Sequence, residues 1–591
     1  MIAFLRWTRD IALGTLNGIV KIGFFVVLLL LALFVVGLIE GDGLPGKMVL
    51  SLDLRTSPPD SSHAPNLFFG RRTPAVMDTV LALDRAGRDS RVKGVFLQLG
   101  GGLSVAKAEE IGAALMRFRE SGRFVVAYAQ GFLDPGLGDY LTAASADEIW
   151  MEPKSPFGAA GTGAGAIFLR GLFDKVQAVP QMVKRAEYKS AADMFMEKQM
   201  TGPDHVQVTA FVQSWYNSAV KAIAAERKLP PSSVVASLQS SPQFAEDAQH
   251  ARLIDRLGYD DQARRGARER APGAKLVSMA DYARATEDAG MAGQGPRVAL
   301  IEASGDIVDG SADHGSLGGS EVIASDDYAQ AFRKARRDKS IKAILFRIDS
   351  PGGSVTASAQ ILEALQEAKA AGKPVIVSMG PLAASGGYFV SCAADKIIAE
   401  PATLTGSIGV LTGKVSIGKT LALIGVGATD IGAGKNALFD SGIEPFTPDQ
   451  LANLNMQADV IYADFKQKVA AGRKLPLSQV DNIAKGRVWT GADAKPIGLV
   501  DQLGTFWTAV GEVKRAIGVS PDVRLVFKEY PEKEGFFETL AAVLSGSAVG
   551  VRAVEGLSTL LQAPAAREVL GALNEAPRNP VELRATNLPA Q

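Results

Sequence analysis

Apolar positions along this chain fall into two kinds of run. The first is one long stretch near the start, Ile22 to Ile39, which holds 18 residues without a charge. A helix of that length, tilted and helped by the snorkelling of Lys21, crosses a hydrocarbon layer of roughly 30 Å. Arg6 and Arg9 lie on its N-terminal side and Glu40 and Asp42 on the other. The positive-inside bias therefore predicts a cytoplasmic N-terminus (1–21), a single transmembrane anchor (22–40) and an extracytoplasmic body. No clear small-x-small site follows, so the segment reads as a retained anchor rather than a cleaved signal peptide. The second kind of run is short. Residues 47–54, 92–99 and 123–128 are apolar strands, and 107–119 has helical period. Short apolar strands alternating with amphipathic helices predict parallel βαβ units.

The same order then comes a second time. Asp89–Leu99 parallels Asp338–Ile348, and Glu152-Pro153 parallels Glu400-Pro401. Arg227-Lys-Leu-Pro230 parallels Arg473-Lys-Leu-Pro476, and Leu253–Gly258 parallels Leu499–Gly504. The four spacings drift only from 249 to 246 residues, which is the mark of a tandem duplication. The expected organisation is a repeat at 46–265, a linker at 266–296, a second repeat at 297–530 and a helical tail at 531–591. The Pro-rich end of that tail, from Ala576, is expected to be disordered.

Composition narrows the chemistry. Lys plus Arg and Asp plus Glu both number 63, so no basic excess points to nucleic acid. The one cysteine, Cys392, allows neither an internal disulfide nor a thiolate metal site. The four histidines, His63, His205, His250 and His314, stand in no elbow-like context. Nothing in the chain implies a cofactor or a metal, and a serine nucleophile here needs a base other than histidine.

Residues 381–391, Pro-Leu-Ala-Ala-Ser-Gly-Gly-Tyr-Phe-Val-Ser, place Ser385 between small residues after an apolar strand (374–378) and before a helix-like run. Gly386 and Gly387 permit the tight turn that aims backbone N–H groups at one point. The first repeat has no serine in the matching stretch, Gln130–Tyr140. Acyl transfer also needs N–H groups for an oxyanion. Ser350-Pro-Gly-Gly supplies them in the second repeat, where the first has Gly100-Gly-Gly-Leu-Ser104; Gly353 and Gly386 are the candidate pair. A lysine whose pKa is lowered by burial can replace histidine as base. Lys189 and Lys435 occupy matched positions, 246 residues apart, and spacing does not choose between them.

Four motifs together resemble one family. They are Ser350-Pro-Gly-Gly-Ser-Val355, Ala383-Ala-Ser-Gly-Gly-Tyr388, Leu404-Thr-Gly-Ser-Ile-Gly409 and Val488-Trp-Thr-Gly-x-x-Ala-x-x-x-Gly-Leu-Val-Asp501. The chain is similar over 46–530, with the anchor, to the membrane-anchored S49 serine peptidases that degrade signal peptides, in their long, duplicated form. The resemblance implies an α/β fold with a ClpP/crotonase-like domain in each repeat. It implies a Ser–Lys dyad split between the repeats, with Ser385 as nucleophile and Lys189 as general base; Ser407 is expected to hold the lysine amine. Short members carry both residues in one unit about fifty residues apart, which keeps Lys435 as the rival base. It further implies a homotetramer on a bacterial inner membrane, a periplasmic body and remnant signal peptides as substrates. The rival readings are a crotonase-like enzyme acting on an acyl-CoA and a non-catalytic membrane scaffold.

Overall fold

The computed structural model describes residues 42–61, 74–133, 136–291, 293–312, 322–531 and 582–584. The anchor expected at 22–40 lies outside these residues. No described helix is long and apolar enough to cross a membrane.

Each repeat forms a sheet covered by helices, all parallel in the first and parallel in the second except for Val488–Thr490, which runs antiparallel to Leu404–Gly406. In the first, the strand order is Arg256–Leu257, Glu148–Met151, Phe124–Ala129, Val92–Leu99, Met48–Leu54, Lys275–Ser278. In the second it is Val488–Thr490, Leu404–Gly406, Val375–Ala384, Ile341–Ser350, Arg297–Ser304, Val526–Tyr530, with Lys396–Ala399 beside Val375–Ala384. Strands such as Val92–Leu99 are buried almost throughout, as parallel strands between helix layers must be. The duplication extends to the caps. Ser104 and Ser354 each accept a backbone N–H at the start of a 16-residue helix. Thr201 and Thr447 do the same for two 26-residue helices, which both end on a left-handed lysine, Lys228 and Lys474.

Two expectations about organisation need correction. Residues 266–296 are not a plain linker. Lys275–Ser278 pairs in parallel with Met48–Leu54 and closes an edge that would otherwise stand unpaired. Val526–Tyr530 does the same for Arg297–Ser304, so the strand belongs to the repeat. Nor is the end of the tail, expected to be disordered from Ala576, without regular structure, while the helical part expected before it lies, beyond Pro531, outside the described residues. Glu582–Arg584 is a strand, antiparallel to Gly352–Ser354, with Glu582 opposite Leu411.

The repeats share one core. Leu52, Leu97 and Ala127 of the first sheet lie in the same apolar cluster as Val298, Leu300, Leu345 and Ile376 of the second. The alternate residues Ala299, Ile301, Ile344 and Val377 face the second repeat's own helices. Helix Val105–Glu120 of the first repeat packs on this shared face, and a buried ion cluster sits there. Arg347 is fully buried. Its guanidinium donates to Asp60 at 2.7 and 2.9 Å, to Glu110 at 2.9 Å and to Glu400 at 3.5 Å. Burial alone would lower its pKa, but the three carboxylates hold it well above the usual range. Burial, together with neighbouring Glu110, pushes Glu400 well up.

A small third sheet joins the repeats directly. Its order is Val322–Ala324, Asp306–Val308, Gly352–Ser354, Glu582–Arg584, Val410–Ser416, Val179–Arg185. The last pair is an antiparallel ladder between the two repeats, with Arg185 opposite Val410 and Val179 opposite Ser416.

Removing Arg347 would leave the carboxyl groups of both repeats buried with no cation. Arg347→Met is expected to lower the unfolding free energy by about 3–5 kcal/mol at pH 8, measured by urea titration. Acids with raised folded pKa values bind protons on folding, so their stability contribution falls as pH rises. The deficit should therefore shrink at pH 5. A deficit equal at both pH values would contradict the cluster's electrostatic role.

Candidate active site

Strand Val375–Ala384 delivers Ser385 to the start of helix Gly386–Ser391. The turn is tight enough to force Ser385 to φ 56° and ψ −115°, a region that non-glycine residues seldom occupy and that costs on the order of 1–3 kcal/mol. Three features hold it there. Ser385 N donates to Gly406 O at 2.9 Å, and Phe389 N donates to Ser385 O at 2.8 Å. Gly387 lies so close to Ser350 that a Cβ would meet its carbonyl oxygen at 2.8 Å. Ser385 itself is fully buried.

Lys189 comes to this elbow from the first repeat. The ladder of Val179–Arg185 with Val410–Ser416 carries the chain across, and Lys189 follows four residues later. Its Nζ lies 2.8 Å from Ser385 Oγ, 3.0 Å from Ser407 Oγ and 3.1 Å from Ser407 O. A neutral amine has two N–H groups and one lone pair. The two acceptors on Ser407 can take both N–H groups, which leaves the lone pair facing the Ser385 hydroxyl. Ser407 is also left-handed, at φ 51°, which turns its carbonyl and its hydroxyl to the same side.

No carboxylate among the described residues comes within hydrogen-bond reach of this amine. Lys189 is 1 % exposed, and burial pushes its pKa down to about 7. Two glycines shape the sleeve. A Cβ on Gly486 would come 2.7 Å from Lys189 Cβ, and one on Gly409 would come 3.3 Å from Lys189 Cδ. Lys435, the other matched lysine, is exposed and paired with Asp449 at 2.9 Å, and that partner raises its pKa. The structure thus brings Lys189, Ser385 and Ser407 together and leaves Lys435 on the surface.

The glycine loop packs beside the elbow. Gly352 and Gly353 have φ of 106° and 152°, and a side chain at Gly353 would run into the Ile307 carbonyl. A Cβ on Gly386 would meet Gly353 N at 3.1 Å, so the Gly353 and Gly386 backbones lie against each other. Asp349 ties loop to elbow strand. It is the penultimate residue of the strand before the loop, and its carboxylate accepts from Leu382 N at 3.0 Å. Burial, with Asp60 beside it, pushes that carboxyl up to about 7.

The matching place in the first repeat is filled by a carboxylate. Asp139 accepts from Gly102 N at 2.9 Å and from Leu103 N at 3.3 Å. The glycine loop there is bound to the chain's own side chain. Sequence reading missed Asp139, Asp349 and Arg347. The absence of a serine from Gln130–Tyr140 pointed to the first, and the Glu152/Glu400 match touched the Arg347 cluster only as a repeat marker.

A serine on a strained elbow lies against a desolvated lysine in a duplicated α/β scaffold, and the family of the chain makes it a serine peptidase. Residues 117–272 and 367–520 match the model of peptidase family S49, once in each repeat, and the chain belongs to that family. Residues 324–404 also match the Clp protease family. The chain is 32% identical to Protease 4 of Salmonella typhi over 455 residues, covering 74% of this chain and 71% of that one. It is 30% identical to Protease 4 of Haemophilus influenzae over 467 residues, 76% and 74% of the two chains. It is also 30% identical to the chloroplastic serine protease SPPA of Arabidopsis thaliana over 484 residues, 80% and 70%.

A lysine folded with a pKa near 7 and unfolded near 10.5 binds more protons unfolded, so its burial penalty is full below pH 7 and fades as pH rises towards 10.5. Lys189→Met should therefore be more stable than the parent at pH 6. Its advantage should shrink by roughly 4 kcal/mol by pH 10, as followed by denaturant unfolding. A pH-independent difference would mean the amine is hydrated.

Proposed function

We propose that the chain is a membrane-anchored endopeptidase that uses a Ser385–Lys189 dyad to cleave remnant signal peptides and other apolar peptides. The observation that carries this reading is the 2.8 Å approach of a buried, uncompensated lysine amine to a serine hydroxyl. Lys189 takes the proton from Ser385 Oγ as that oxygen attacks the peptide carbonyl. The N–H groups of Gly353 and Gly386 receive the oxyanion. The ammonium then protonates the leaving amine, and the C–N bond breaks to give an acyl-enzyme. Water, deprotonated by the same lysine, attacks the ester, and the proton returns to Ser385. Ser407 keeps the amine's N–H groups engaged throughout.

The third sheet supports an extended peptide as substrate. Without Glu582–Arg584 it would split, leaving a gap one strand wide between Gly352–Ser354 and Val410–Ser416. A peptide adding there as a strand gains main-chain hydrogen bonds on both sides and passes the Ser385 elbow. The anchor at 22–40 would hold the body at the periplasmic face of a bacterial inner membrane, where apolar peptides leave the bilayer. The long-form family pattern adds a homotetramer.

Ser385→Ala and Lys189→Ala are each expected to lower kcat by at least 10³-fold in a peptide-hydrolysis assay, whereas Lys435→Ala should match the parent. An active Lys189→Ala variant would overturn the dyad. Because the base must be neutral, kcat/KM should rise with pH through a midpoint near 7. Deleting residues 1–41 should release the protein from membranes with its peptidase activity intact.

A further inference from the structure

We propose that Gln207 is the positioning residue that locks the lysine turn in place; the inference rests on the Ser385–Lys189 reading above. Gln207 lies on helix Gly202–Arg227 and is 2 % exposed. Its Nε2 donates at 3.0 Å to Tyr188 O and at 3.0 Å to Ser190 Oγ, the residues on either side of Lys189. The same nitrogen reaches Asp204 Oδ1 on its own helix at 2.9 Å. Its Oε1 accepts from Val488 N at 3.1 Å. One amide thus fixes the lysine backbone from both flanks and ties it to the second repeat.

The Val488 end of that tie leads back to the amine. Val488 follows Lys485-Gly486-Arg487, the loop that closes over Lys189. Tyr188 N donates to Lys485 O at 3.1 Å, Gly486 N donates to Ile408 O at 2.8 Å, and Ser407 N donates to Arg487 O at 2.7 Å. Gln207 therefore sits where the lysine turn, the covering loop and the Ser407 segment are joined. An amide suits the place because it donates at one end and accepts at the other. An apolar replacement would leave the half-buried Tyr188 O and the buried Val488 N without this partner, and buried polar groups need partners.

The second repeat supplies an internal control. The residue at the matching position of helix Pro448–Arg473 is Asn453, which is exposed and accepts from Gln457 Nε2 at 3.2 Å. The helix can do without a buried amide there. The buried one occurs in the repeat that carries the lysine.

Charged groups around the turn include Asp204 on Gln207's helix, Asp193 paired with Lys184, Glu187 paired with Lys485, and Arg487 over the Tyr188 ring. None of these is within hydrogen-bond reach of Lys189 Nζ, so slack in the turn would act on the amine through its hydration. A wetter amine regains basicity.

The test compares full-length Gln207→Leu with the parent, normalised per site by fluorophosphonate titration of Ser385. The expected result is a kcat per titrated site lowered by about 10- to 100-fold, the usual range for a supporting shell, with KM within twofold. The acid limb of kcat/KM should move to higher pH. Asn453→Leu should match the parent in all three. Gln207→Met, which keeps the side-chain length, carries the same expectations if leucine prevents folding. Fewer titratable sites with unchanged kcat per site and an unmoved limb would mean a merely structural role and overturn the proposal. An active Lys189→Ala variant would sink the dyad itself; a dead Lys189→Ala beside a normal Gln207→Leu would sink only this inference.

Discussion

An amine with no counter-charge stays neutral near pH 7 only while water is kept from it, and much of this structure serves that requirement. Lowering the Lys189 pKa from 10.5 to about 7 corresponds to roughly 5 kcal/mol of lost hydration preference, which packing elsewhere must offset. The seal comes from stretches far apart in the chain: the Lys189 turn, the Ser385 elbow, Ser407 to Gly409 and Gly486. No single repeat contains them all. The ladder between Val179–Arg185 and Val410–Ser416 and the Arg347 cluster hold the repeats in the register that the seal requires.

The two repeats differ at matching places beside the elbow. The second has a hydroxyl on a strained turn and a glycine loop paired by the strand Glu582–Arg584. The first has filled its own loop with the Asp139 carboxylate and contributes a lysine instead. Burying Arg347 against carboxylates from both halves is an expensive way to join domains, since apolar residues of similar volume would often be as stable. Its directional hydrogen bonds do what an apolar patch does not: they fix the helix bearing Glu110 against the strand that runs on to Asp349 and the glycine loop.

Much of this was legible in the residues. Periodicity gave the βαβ units because buried parallel strands are apolar throughout. The duplication was visible because Arg473-Lys-Leu-Pro and its partner cap equal helices. Ser385 stood out because only one repeat has it. Residues 266–296 were misread because Lys275–Ser278 is a short edge strand with little apolar alternation. The choice between Lys189 and Lys435 was invisible to spacing, since burial is set by Gly409, Gly486 and Ser407, each more than two hundred residues downstream of Lys189. The Arg347 cluster and Gln207 were hidden for the same reason: charged and amide side chains read as surface until a fold encloses them.

The strand Glu582–Arg584 changes what recognition at the glycine edge means. That edge is occupied by the chain's own backbone, so any peptide that adds there exchanges one strand for another. Main-chain hydrogen bonds made by the newcomer replace bonds of the same kind made by the resident, and their difference is close to zero. Discrimination then falls to side chains and to the tether that keeps the resident strand at high local concentration. A peptide of three or four residues would compete poorly on those terms. A longer one, reaching past the resident on both sides, would not.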